Sequence, residues 1–108
     1  MNISKAIRIF KLNRSILNKN NKISKKIQNL EIQDIMQDSR LIKKNDCYFC
    51  FAKDVKLIDK YISDAINNGA IMIVANFNDC QDLSNKLVDK FGDKVVMVKY
   101  INVLRLMM

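Results

Sequence analysis

The apolar positions of this chain alternate between continuous runs and helical spacing, and that alternation predicts its architecture. Residues 47–52 (CYFCFA), 71–75 (IMIVA) and 95–98 (VVMV) are short unbroken apolar runs. Runs of this length between polar turns read as strands buried on both faces. Between the first two runs, Ile62, Ala65 and Ile66 share one helical face, and Asn68-Gly69 supplies a stop. Asp59 is the expected N-cap of that helix, which leaves residues 53–58 as a loop. Between the last two runs, Leu83, Leu87, Val88 and Phe91 mark a second helix over 79–91. Residues 31–37 (EIQDIMQ) read as a shorter first strand, closed by a turn at Asp38 and Ser39. Lys43-Lys44-Asn45-Asp46 is a second polar turn.

Upstream, Ile3, Ala6, Ile7, Ile9 and Phe10 recur at helical spacing with Lys5, Arg8 and Lys11 opposite, which predicts an amphipathic helix over 3–12. Residues 13–29 read as a weakly ordered, Asn/Lys-rich connection. Residues 101–108 begin another apolar stretch. The order strand–helix–strand–helix–strand with short links predicts an α/β fold, a small mostly parallel sheet flanked by helices. A basic N-terminal helical arm (1–30) precedes the α/β domain (31–108).

Length and charge narrow the function. A chain of 108 residues fits one domain with one core. Its net charge of +8 is unevenly placed: residues 1–30 hold eight Lys and Arg and no acid, whereas 31–108 hold eleven of each sign. Lys, Asn and Ile make up 43 residues, a composition that AT-rich codon usage produces without any basic-patch function. With no aromatic interleaving or nucleic-acid-binding motif, nucleic acid is not an expected partner. The acid-free start has a transit-peptide-like composition, but a surface helix is the simpler reading. No apolar run approaches the roughly 18 residues of a membrane span, so no membrane partner is expected. Three Cys without a secretory signal point to reduced thiols and a cytoplasmic location.

Candidate chemistry is sparse. The absence of His removes His bases, His ligands and His triads. Cys47 and Cys50 have dithiol spacing, but positions i and i+3 of a strand point to opposite faces, so core cysteines are expected. Gly occurs only at 69 and 92, so no Gly-x-x-x-x-Gly-Lys-Ser/Thr phosphate loop is present and no ATP site is expected in these residues. Asp38-Ser39-Arg40 is the sharpest polar feature. Its local reading is a turn in which Ser39 caps backbone and Arg40 pairs with Asp38. Its functional reading is a hydroxyl at a strand end facing a nucleotide or anion.

In order and spacing, several of these pieces resemble the N-terminal domain of the Mur ligases. They are Asp38-Ser39-Arg40, Lys43-Lys44-Asn45-Asp46, Tyr48-Phe49-Cys50-Phe51, Tyr61-Ile62, Ala65-Ile66, Asn68-Gly69-Ala70 and Ile71-Met72-Ile73-Val74. The pattern is most similar to the members that add the third residue to UDP-N-acetylmuramoyl-L-alanyl-D-glutamate. The members that add the terminal dipeptide are the neighbouring alternative, and a non-enzymatic module using the basic arm is a different one. The resemblance implies a domain that holds the UDP end of a UDP-N-acetylmuramoyl-peptide, with Gln37, Ser39, Asp54, Val55 and Lys56 as its contacts. It further implies that ATP and Mg²⁺ are held by central and C-terminal domains absent from these residues, for instance on a separate chain. The chain is then a truncated or split copy, inactive in ligation alone, with no catalytic residue and no metal ligand of its own. It departs from the family at Lys53, where a Gly stands in the pattern, and at Leu57-Ile58, in place of Asp-Gly. Losing those glycines stiffens the loop.

Overall fold

A computed structural model of the chain describes residues 1–9, 11, 15–19, 23–77 and 80–99. Four strands, β1 (Ile35–Met36), β2 (Cys47–Cys50), β3 (Met72–Ala75) and β4 (Val96–Lys99), form one sheet in sequential order. All three neighbouring pairs are parallel, with Ile35 opposite Cys47, Cys47 opposite Met72 and Met72 opposite Val96. Helices α3 (Val55–Asn67) and α4 (Gln81–Phe91) make the β2-to-β3 and β3-to-β4 crossovers.

Strand alternation divides the core in two. Tyr48, Cys50, Ile73, Ala75 and Met97 face α3 and α4, meeting Ile58, Ile62, Ala65, Leu83, Leu87 and Phe91. Cys47, Phe49, Met72, Val74, Val96 and Val98 face the other way, against Ile3, Ile7, Ile16 and Ile27. Cys47 and Cys50 thus lie on opposite faces, as strand geometry requires.

That second layer is made by the N-terminal segment. Helix α1 (Ile3–Ile9) buries Ile3, Ala6 and Ile7, and the short α2 (Lys25–Gln28), capped by Ser24, buries Ile27. The expectation of a weakly ordered connection over 13–29 therefore needs correction where residues are described. Ile16 bridges Val98 in antiparallel fashion and Leu17 N donates to Met97 O at 2.8 Å. Asn18 is 3% exposed and its side chain serves three backbone groups of the β4 region. Each fully buried Ile contributes about 1.5–3 kcal/mol. The second half of the predicted helix (Phe10 and Leu12), Asp79 and residues 101–108 lie outside the described residues.

The first strand is shorter than 31–37, because its leading half pairs elsewhere. Glu31 bridges Asn2, Ile32 N donates to Met1 O at 2.8 Å, and Gln33 N donates to Asn45 O at 2.9 Å. The larger correction is at α3. Residues 53–58 are not a loop and Asp59 is not the cap; the helix starts at Val55 with Asp54 as N-cap. The Asp54 carboxylate accepts from Lys56 N at 2.9 Å and Leu57 N at 3.3 Å. Residues 53–58 contain no Gly or Pro to oppose helical backbone, and Ile58, at 1% exposed, extends the buried stripe by one turn. At its other end Asn68 caps α3 and Gly69 leaves it with φ +115, a region that favours glycine.

Candidate functional site

The site lies where β1 ends. After Met36 the chain passes Gln37 and Asp38 into a single 3₁₀ turn, Ser39–Leu41. Asp38 caps that turn by accepting from Arg40 N at 2.9 Å. The same carboxylate takes the Arg40 guanidinium, with Nε to Oδ1 at 3.0 Å and Nη2 to Oδ2 at 2.8 Å. These Arg40 hydrogen bonds hold the Asp38 carboxyl at about 2, well below the usual carboxylate range. The expected Asp38–Arg40 pair is present, but the capping side chain is Asp38 and not Ser39.

Ser39 is instead packed inward, at 4% exposed. Its carbonyl accepts from the Asn68 side-chain amide at 3.1 Å, which ties the turn to the C-terminal end of α3. Its hydroxyl interacts with the Tyr48 hydroxyl, which also meets the Cys50 thiol. Burial raises the Tyr48 phenol, the neighbouring Cys50 adds to the rise, and the Ser39 hydroxyl opposes it.

Opposite this turn stands the flank of α3. Gln37, Asp38, Ser39, Arg40 and Tyr48 line a cleft of about 650 Å³ together with Lys60, Tyr61 and Asp64. This lies within the range of roughly 300–1,000 Å³ typical of small-molecule sites. It also lies beyond the carboxyl end of a parallel strand, where α/β sheets place their ligands.

The sequence-derived contacts are divided by the fold. Gln37 and Ser39 share the cleft. Asp54, Val55 and Lys56 do not line it: Asp54 is committed to the α3 N-terminus, and Val55 borders a second cleft of about 440 Å³ with Phe77, Cys80, Gln81, Asp82, Leu83 and Lys99. Tyr48, Lys60, Tyr61 and Asp64 were not among the sequence-derived contacts. Lys60, Tyr61 and Asp64 lie within the helix that the sequence predicts and Tyr48 within a predicted strand, but no local signal shows which of their faces meets the Ser39 turn.

A further hollow of about 290 Å³ lies between α1 and the sheet, lined mostly by apolar residues such as Ala6, Ile32, Phe49 and Val74. The thiols of Cys47 and Cys50 are buried, and burial raises both. Among the described residues no group of three Cys, Asp or Glu could hold a metal ion, and Gly69 and Gly92 stand at helix ends, not in a phosphate loop. Among the described residues no helix is long and apolar enough to cross a membrane. No protein-family model matches the chain, and no curated protein matches it in sequence.

Proposed function

We propose that this chain is a substrate-binding domain of the Mur ligase kind, which holds the UDP end of a UDP-N-acetylmuramoyl-peptide for third-residue addition. The observation that carries the proposal is the cleft that places Ser39 and Gln37 side by side at the carboxyl end of β1. A polar hydroxyl and an amide against tyrosine rings suit a uridine, which combines an apolar ring face with hydrogen-bonding edges. Such a domain belongs in the cytoplasm and supplies binding only. The acyl-phosphate chemistry of the family requires ATP, Mg²⁺ and an amino acid held by other domains.

The test is a titration of the full chain with UDP-N-acetylmuramoyl-L-alanyl-D-glutamate by calorimetry or NMR, beside Ser39→Ala. Saturable binding weakened by that substitution is the expected result. A folded chain that does not bind overturns the proposal.

One observation favours a second reading, a polyanion-binding module. Lys5, Arg8, Lys25 and Lys26 are all exposed on the layer formed by α1 and α2. It predicts affinity for a polyanion that falls steeply with salt and is lost when these four residues are changed to Gln.

A further inference from the structure

The first turn of α3 is a poor place for a diphosphate. Its amides of Lys56 and Leu57 are already taken by the Asp54 carboxylate, which also sets a negative charge where an anion would have to sit. Val55 faces another cleft, and Lys56 borders neither. The wall facing Ser39 comes from one turn further along. Lys60 and Asp64 are four residues apart and Tyr61 lies between them, on the flank beside the buried Ile58, Ile62 and Ala65.

The charges in this cleft are distributed in a way that matters. On the near wall Asp38 and Arg40 neutralise one another. On the far wall neither Lys60 nor Asp64 makes an ion pair among the described residues. Tyr61 lines the same cleft as Arg40 and Tyr48, so the two walls are within reach of one ligand. An aromatic ring, an unpaired carboxylate and an unpaired ammonium along one helix flank match the three parts of a nucleoside diphosphate: base, ribose diol and diphosphate. Carboxylates commonly receive ribose hydroxyls, and rings commonly pack on bases.

We infer that α3 forms the second wall of a nucleoside-diphosphate site, with Tyr61 against the base and ribose, Asp64 on the ribose hydroxyls and Lys60 toward the diphosphate. This rests on the function proposed above and replaces the Asp54–Lys56 contacts within it. Ser39 and Gln37 remain the near wall.

The experiment is titration of the full chain with UDP, comparing Lys60→Gln, Tyr61→Leu, Asp64→Asn, Ser39→Ala and Lys56→Gln with the parent. Tyr61→Leu retains bulk against the core, and thermal melts verify that each variant is folded. Tyr61→Leu is expected to weaken binding about tenfold. Lys60→Gln should cause a several-fold loss that shrinks as salt rises, Asp64→Asn a several-fold loss at all salt concentrations, and Lys56→Gln no change beyond about twofold. If UDP binds and Ser39→Ala weakens it, yet Lys60→Gln and Tyr61→Leu match the parent, the α3 wall is wrong while the functional proposal stands. Loss on Lys56→Gln alone also overturns it, in favour of the first-turn contacts. If the folded parent binds no UDP, the functional proposal falls and this inference falls with it.

Discussion

The side chain of Asn18 is bound to the backbone of Met97, accepting its N–H at 2.9 Å across 79 residues of sequence. The same amide donates to Val95 O at 2.9 Å and Gly92 O at 3.1 Å. One buried side chain thereby fastens the N-terminal segment to the edge of β4. Together with the Ile16–Val98 bridge, it covers an edge that would otherwise present unpaired backbone groups.

Asn18→Ala should therefore be costly. It leaves the Met97 N–H and two carbonyls without their partner in a closed environment, for a loss of about 3 kcal/mol. Thermal unfolding followed by circular dichroism should show a midpoint lower by roughly 12 °C or more. A change of less than about 1 kcal/mol would mean that the segment is not docked as described.

Gly69→Ala should destabilise by about 3 kcal/mol. Gly69 has φ +115, and an added Cβ would lie 2.7 Å from Lys44 Cα and 3.0 Å from Lys44 N, backbone atoms that cannot swing aside. The strain falls on the turn that feeds β2, because Asn45 N donates to Gly69 O at 2.8 Å. Chemical denaturation measures it, and a neutral result would show that the two turns are not in contact.

The Asp38–Arg40 pair gives a pH dependence with a definite sign. The Asp38 carboxyl sits at about 2 in the fold against 3.8 for an unperturbed one, so the contribution of the pair is complete above about 4. It fades as pH falls through about 2. Because Arg40 is largely in solvent and Asp38 partly so, the effect is local to the turn and is read best by NMR titration of the Asp38 carboxyl carbon. A midpoint near 2 is expected, moving up toward the usual carboxylate range in Arg40→Gln. A midpoint near 4 in the parent would rule out the pair in solution.

Much of the fold was legible because its signals are local. Three buried strands announced themselves as continuous apolar runs, since a strand covered on both faces has no polar side to alternate with. Helical stripes such as Ile62, Ala65 and Ile66 were visible for the same reason, and Asn68-Gly69 marked a true helix end. The start of α3 was misplaced because two Asp residues stand near it. Asp54 and Asp59 are both acceptable caps by type, and the burial of Ile58 decides between them.

What only the tertiary structure decided depends on contacts between residues far apart in the chain. Nothing local reveals that Ile3, Ile7, Ile16 and Ile27 complete one face of the sheet, because the first two read as a surface-helix stripe, and Ile16 and Ile27 among Lys and Asn look like a loop until the sheet is there to receive them. Ser39 could be singled out from the sequence because a hydroxyl after a strand end is a local feature, and Gln37 through the family resemblance alone; the fold sets both on one wall of a cleft. The other wall could not. Lys60, Tyr61 and Asp64 share a cleft with Ser39 in the folded chain, where the Asn68 amide ties the Ser39 carbonyl to the end of α3 and β2 adds Tyr48 to the lining. The sequence by itself determined the three long strands, the two crossover helices and where the polar turn falls, but not the start of α3, the short α2 or the extent of β1. Packing decided which surfaces meet, because apolar burial is non-directional along the chain and is settled only when all the elements compete for the same faces.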